Sequence, residues 1–106
     1  MIIVTILKHS GEYAGYQVQG HAGYARKGED IICSAVSVLT INAANSIEEF
    51  TDDSFSAKCS DGFLEAYFEG RPSETSKLLM DSMILGLKQI QKDYGEAYIH
   101  FEYKEV

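Results

Sequence analysis

The chain has no tryptophan, one proline and two cysteines among its 106 residues. The two cysteines, Cys33 and Cys59, are too few for the disulfide framework of a small secreted domain, and they form no C-x-x-C pair. The N-terminal residues carry neither a positively charged segment nor a cleavage motif, so the sequence shows no secretory signal. These absences predict a cytoplasmic protein whose thiols stay reduced.

Basic residues are also scarce, with 9 Lys and Arg against 16 Asp and Glu and a net charge of −7. Direct binding to nucleic-acid phosphates needs a basic face, so this balance argues against direct nucleic-acid contact. An acidic surface can instead attract a basic protein partner. No uninterrupted apolar run approaches the roughly 20 residues that span a bilayer, which predicts that the protein does not enter a membrane.

Signatures of cofactor and metal sites are missing as well. The glycines spell neither a phosphate-binding loop nor the G-x-G-x-x-G fingerprint of dinucleotide-binding proteins. A structural zinc ion needs four closely spaced ligands, whereas the three histidines and two cysteines are scattered along the chain. We therefore expect neither a metal ion nor a cofactor.

What the chain does contain is a succession of strand signals. Ser10-Gly11 is placed as a hairpin turn, and Asp61-Gly62 is predicted to form a type I′ turn. Cys59 alternates with apolar neighbours and is predicted to lie in the core. The five predicted strands carry alternating or β-branched residues, in the segments "MIIVTILKHS", "AGYQVQG", "SFSAKCS", "FLEAYFEG" and "EAYIHFEY".

Two helices are predicted from apolar residues at helical spacing. The first follows Asp30, a favoured N-cap residue, and ends near Thr51. The second begins near Pro72 and ends at Gly95. The apolar stripe of the first helix comprises Ile32, Val36, Leu39, Ala43, Ile47 and Phe50.

The predicted order of elements is therefore ββαββαβ. Two helices on one face of a sheet bury that face and leave a two-layer structure. We predict a single α+β domain over residues 1–106, with a mixed or antiparallel sheet of about five strands.

The segment "GHAGYARKGEDIIC", residues 20–33, carries the candidate chemistry. If Asp30 caps the helix, Cys33 lies in the first turn, where the helix dipole favours a thiolate by about 0.3–1 kcal/mol. That is less than one pKa unit, which corresponds to about 1.4 kcal/mol. His21 can return over the helix start, and its imidazolium would supply the rest. The amides of the first turn are candidate donors to an oxyanion.

Structural explanations stand beside this chemical one. A cysteine near a helix start is often a small buried apolar residue, and a histidine at a strand end often lies on the surface. Capping alone explains Asp30. Ser37 lies one turn after Cys33 on the same helical face, but it is a weaker nucleophile candidate because mid-helix amides are already paired. From these residues alone, a His–Cys site and a purely structural role both remain open.

The longer segment "GHAGYARKGEDIICSAVSVL" resembles the signature of the bacterial ribosomal-processing cysteine protease family, Prp. That signature reads G-H-A-G, a short glycine-bearing loop, then G-x-D-[IV]-[IV]-C-[AS]-[AG]-V-S, and the match spans about twenty residues. The length of the chain and the order of its elements agree with the family more loosely. The resemblance implies a cysteine endopeptidase that removes the N-terminal extension of a large-subunit ribosomal protein, cutting after an aromatic-rich segment.

The resemblance also implies roles for particular residues. Cys33 would be the nucleophile and His21 the general base, with Asp30 and Ser37 in support. It further implies a homodimer, no cofactor and a mobile loop that contains Gly20, Gly23, Tyr24 and Gly28.

One further hypothesis and two alternatives complete the expectations. We expect the Tyr24 ring to pack against the aromatic segment of the substrate. The alternatives are a non-catalytic ribosome-associated protein that keeps the motif for folding, and a thiol hydrolase acting on a small thioester or acyl substrate.

Overall fold

The computed structural model describes residues 1–26 and 29–106, so Gly28, a predicted loop residue, lies outside the described residues. The observed order of elements, ββαββαβ, confirms the prediction. The elements are β1 (Ile2–His9), β2 (Glu12–Gln19), α1 (Ile31–Phe50), β3 (Phe55–Ser60), β4 (Phe63–Phe68), α2 (Glu74–Tyr94) and β5 (Ile99–Glu105).

The five strands form one mixed sheet in the order β3-β4-β2-β1-β5. The β1–β2, β2–β4 and β3–β4 pairs are antiparallel, whereas β5 joins β1 in parallel after the α2 crossover. The two hairpins turn where predicted. Ser10 and Gly11 both have positive φ, at 50° and 81°, but in the second turn only Gly62 does, at 69°. The second turn is therefore not the type I′ turn predicted for it.

The core lies between one face of the sheet and the two helices. Residues at alternate positions of the strands point to this face, so β-branched and aromatic side chains recur there at a period of two. The buried Tyr16 hydroxyl donates to the Thr40 carbonyl at 2.7 Å, which ties β2 to the middle of α1. The fully buried side chains of the core include Val4, Ile6, Tyr16, Ile32, Val36, Ile47, Ala66, Met80, Leu87 and Ile99.

Two residues predicted for the core, Phe50 and Cys59, lie outside it, and the start of α2 is shifted by two residues from Pro72. Phe50 ends α1 beyond the core and is 69% exposed. Cys59 pairs with buried Leu64 and shares its side of the sheet, but β3 is an edge strand and the thiol is exposed. Helix α2 begins at Glu74, two residues after Pro72, because the Ser73 hydroxyl caps it by accepting from the Ser76 N–H at 3.2 Å.

The end of α1 and the start of α2 are joined by a partly buried polar cluster. Asp53, just after α1, accepts hydrogen bonds from the Ser73 amide at 2.9 Å and its hydroxyl at 2.8 Å. It also accepts from the Ser76 hydroxyl. Burial tends to raise the pKa of Asp53, but these donors outweigh it and hold the pKa below its ordinary value. The cluster ties the C-terminal end of α1 to the start of α2, at the end of α1 opposite to Cys33.

Helix α1 is long and apolar enough, with a mean hydropathy of 1.4, to span a bilayer by length and composition alone. The core helix of a globular domain meets the same criterion. Here Ile32, Val36, Ala43 and Ile47 bury one side of α1 in the core, while Val38 and Phe50 are exposed.

Candidate active site

The first turn of α1 is organised by the carboxylate of Asp30. Its Oδ1 accepts the N–H groups of Ile32 and Cys33, each at 3.0 Å, which confirms the predicted cap. Its Oδ2 accepts the Tyr24 N–H at 3.0 Å, a contact that the sequence did not predict. Asp30 is buried. Through these hydrogen bonds, one carboxylate connects the loop before α1 to the first turn of the helix.

Asp30 carries its negative charge at neutral pH. Burial acts to raise the pKa of this carboxyl, but the N–H groups of Cys33 and Tyr24 bind its charged form more strongly. The net effect holds the pKa of Asp30 below its ordinary value. A permanent negative charge therefore lies beside the candidate nucleophile.

Cys33 is half-buried in the first turn of α1, as predicted, and its Sγ accepts the Ala22 N–H at 3.2 Å. Burial raises the pKa of the thiol above its ordinary value. The Ala22 N–H opposes this effect, while the charge of Asp30 adds to it. The expectation that the helix start favours a thiolate was therefore wrong for this state, because burial disfavours the charged sulfur and Asp30 adds a negative charge beside it.

His21 leaves the end of β2 after Gly20, and its imidazole lies against the β3–β4 turn. A Cβ added at Gly62 would come within 2.8 Å of the His21 Nε2, so the ring occupies the space that glycine leaves open. No hydrogen bond joins the His21 ring to the Cys33 sulfur within the described part of the chain. The turn at Gly62 was predicted, but nothing in the sequence paired it with His21.

One cleft of about 430 Å³ brings the predicted site residues together. His21, Asp30, Cys33 and Ser37 all line it, as do Gly20 and Gly23 of the loop. This volume lies within the range of ordinary ligand pockets, roughly 300–1,000 Å³. The opposite wall is the end of the β3–β4 hairpin, and the residues there that the sequence did not predict for the site are Cys59, Ser60, Asp61, Gly62, Phe63 and Leu64.

Tyr24 packs within the chain itself. Its ring meets the rings of Tyr94 and Tyr98 edge to face, with centroids 5.7 Å and 5.4 Å away. Tyr94 ends α2 and Tyr98 precedes β5, so the loop before α1 is docked on the far end of the other helix. The sequence offered no signal for these partners.

The described residues contain no group of three or more His, Cys, Asp or Glu side chains placed to hold a metal ion. The cleft presents a thiol and an imidazole, and the backbone N–H of buried Ala22 is aimed at the sulfur. These are the groups of cysteine-based acyl transfer.

Comparisons with known proteins agree with this chemistry. The family described as "Cysteine protease Prp" matches residues 1–100. The "Ribosomal processing cysteine protease Prp" of Bacillus subtilis (strain 168) is 27% identical over 103 residues, 91% of this chain and 92% of that protein. The protein of the same description from Staphylococcus aureus (strain Mu50) is 27% identical over 109 residues, covering 98% and 100%.

Solved structures share the fold. The crystal structure of an essential ribosomal processing protease Prp from S. aureus, in complex with a covalently linked product peptide, superposes with a TM-score of 0.90. It is 24% identical, over 98% of this chain and 100% of that one. SMU.848 from Streptococcus mutans gives a TM-score of 0.81 at 25% identity, over 100% and 96%.

Proposed function

The chain belongs to the cysteine protease Prp family, and on this premise we propose that it is an endopeptidase with Cys33 as nucleophile and His21 as general base. We propose as its substrate the N-terminal extension of a large-subunit ribosomal protein, cut after an aromatic-rich segment. The names of its relatives as ribosomal processing proteases support this choice, as does a related S. aureus structure solved with a substrate peptide.

The observation that carries the assignment is the single cleft that presents both His21 and Cys33. His21 takes the Sγ proton as the sulfur attacks the peptide carbonyl, then returns it to the leaving amine. Water, activated by the same imidazole, hydrolyses the thioester and regenerates the thiol. The raised pKa of Cys33 makes this base necessary, because the resting thiol keeps its proton at neutral pH.

The walls and charge of the protein suit the proposed substrate. Ile41, Phe63 and Leu64 line the cleft and offer apolar surface to an aromatic side chain. The net charge of −7 attracts a basic protein, the class to which ribosomal proteins belong. Asp30 serves as a positioning residue that holds the helix start, and Ser37 lines the cleft one turn farther along α1.

The decisive experiment incubates the extended ribosomal protein with wild-type, Cys33→Ala, Cys33→Ser and His21→Ala proteins and weighs the products by mass spectrometry. We expect the wild type to release the extension and the three variants to lose that activity. His100→Ala, an exposed histidine on β5, is the matched control and keeps it. Cleavage by Cys33→Ala at the wild-type rate would exclude Cys33 as nucleophile. Hydrolysis of simple thioesters without peptide cleavage would favour the small-molecule hydrolase.

We also propose that the enzyme is a homodimer whose two copies contact each other through the layer formed by α1 and α2. The first sixteen residues of α1, 31–46, carry no charged side chain. Two copies with a charge of −7 each repel one another, and this repulsion is weakest when they meet through uncharged surfaces, which keep like charges apart. Val38 of α1 is 66% exposed and Leu85 of α2 is 72% exposed, which supplies apolar surface on this layer.

The dimer is tested by sedimentation of the wild type and of Val38→Asp and Leu85→Asp. Both substitutions should give monomers, whereas Tyr103→Asp, at an exposed site on β5, should leave the dimer intact. A monomeric wild type would exclude the proposal.

We propose that the protein is cytoplasmic. Both cysteines are free thiols, which supports this location, and cell fractionation tests it.

A further inference from the structure

A cysteine protease must stabilise the negative oxygen that forms when sulfur adds to a peptide carbonyl. For a nucleophile in the first turn of a helix, the expected donors are the free N–H groups of that turn. Here the Ile32 and Cys33 amides both donate to Asp30 Oδ1 at 3.0 Å. Asp30 is buried and charged, so these two donors are already engaged where the reaction would use them.

A different N–H points at the reacting atom. The Ala22 amide, one residue after the candidate base, lies 3.2 Å from Cys33 Sγ. Ala22 is only 4% exposed, so its N–H is shielded from competing water. The neutral sulfur that it reaches is a weak hydrogen-bond acceptor.

We propose that the backbone N–H of Ala22 is an oxyanion donor of this protease, an inference that rests on the proposed function. As the Cys33 sulfur attacks, its electron pair forms the S–C bond and the π pair of the carbonyl moves onto the oxygen. The sulfur becomes a neutral thioether-like atom, and the negative charge appears on the oxygen one carbon away.

The Ala22 N–H then stops donating its hydrogen bond to the sulfur and donates it to that oxygen instead. When the intermediate collapses, the C=O bond reforms, the C–N bond breaks and the amine takes the proton held by His21. The hydrogen bond is weak in the resting enzyme and strong in the transition state, and only such a differential interaction accelerates the chemical step. Consecutive residues of one loop would thus supply the base and the oxyanion donor.

The test replaces this single N–H by an oxygen. A synthetic segment 1–32 with an ester in place of the His21–Ala22 amide is ligated to segment 33–106 through Cys33, and an all-amide chain is assembled in the same way. A third chain with an ester before Ala97, an exposed residue of the turn preceding β5, controls for the ester itself and retains the all-amide activity. Two rates are measured for each chain. One is kcat for an extension peptide, and the other is the rate at which iodoacetamide alkylates Cys33 at a pH above the pKa of its thiol.

Alkylation forms no oxyanion, so the two rates separate this role from an effect on the thiolate. We expect the Ala22 ester to lower kcat by about 10²–10³-fold while the alkylation rate is kept, the loss typical of one oxyanion donor. An unchanged kcat would overturn the inference, as would an equal fall in both rates. A failure of the proposed function would be recognised by a different result, namely that the Cys33→Ala protein still cleaves the peptide.

Discussion

The imidazole of His21 rests on Gly62, close enough that a Cβ there would lie 2.8 Å from Nε2 and 3.3 Å from Cε1. A contact under 3 Å cannot persist, so Gly62→Ala must displace the ring. We expect this substitution to lower kcat/KM for an extension peptide by more than its effect on stability explains. The φ of +69° at Gly62 adds a backbone cost of about 1–2 kcal/mol.

Gly11→Ala separates the two effects. Gly11 ends the other two-residue hairpin turn, has φ +81°, and a Cβ there meets nothing within 4 Å. The two variants should therefore lose similar stability in thermal unfolding, while Gly62→Ala alone loses activity. Equal activity of the two variants would show that Gly62 does not position His21.

The docking of Tyr24 on Tyr94 and Tyr98 predicts a coupling between residues distant in sequence. Aromatic pairs of this edge-to-face kind contribute about 0.5–1.5 kcal/mol beyond their buried area. In a double-mutant cycle with Tyr24→Ala and Tyr98→Ala, we expect an interaction free energy of about this size in chemical unfolding. Measuring kcat/KM for the same variants tests whether Tyr24 contacts the substrate, because Tyr98 does not line the cleft.

If Tyr24 acts through its docking, Tyr98→Ala should reproduce the kinetic defect of Tyr24→Ala. If Tyr24 instead contacts the substrate, only Tyr24→Ala should raise KM. Tyr94→Ala gives an independent reading of the docked state, since its ring contacts Tyr24 from the other side.

Local sequence carried most of what could be predicted here. The cap at Asp30, the place of Cys33 in the first turn and both hairpin turns depend on residues a few positions apart. The local sequence therefore predicts the relative positions of Asp30 and Cys33 correctly. Alternation along β3 likewise gave the correct side of the sheet for Cys59.

Tertiary contacts decided the rest. Cys59 is exposed because β3 lies at the sheet edge, a matter of strand order that alternation does not encode. The contact of His21 with Gly62 joins a loop to a distant hairpin. The pKa of Cys33 is raised chiefly by burial in the tertiary structure and further by the charge of Asp30, and Asp30 also holds the Ile32 and Cys33 amides that the dipole effect assumes to be free.

The cluster at Asp53 predicts a pH-dependent contribution to stability. Its pKa is lowered in the folded state, so the stabilisation is present above the unfolded value of about 3.9 and is lost as pH falls through the folded pKa. Asp53→Asn should cost on the order of 1 kcal/mol at pH 7, as loss of a helix cap does. Chemical unfolding from pH 7 to pH 2 should show the difference vanishing in acid. Asp52→Asn, at the exposed neighbour, is the control; a deficit of the same size at pH 7 and at pH 2 would contradict the ionic origin.

The charge of Asp30 beside Cys33 predicts the pH profile of the thiol. Burial and the Asp30 charge raise the pKa of Cys33, so iodoacetamide alkylation of the resting wild type should rise only above the ordinary range for thiols. Asp30→Asn removes that charge and keeps one oxygen to cap the helix, although its amide nitrogen cannot accept the Tyr24 N–H. Its alkylation profile should therefore shift to lower pH, because the thiolate no longer faces a carboxylate. Asp52→Asn removes the same charge at the far end of α1 and should leave the profile in place. A shift to higher pH in Asp30→Asn would mean that Asp30 stabilises the thiolate through the helix it caps.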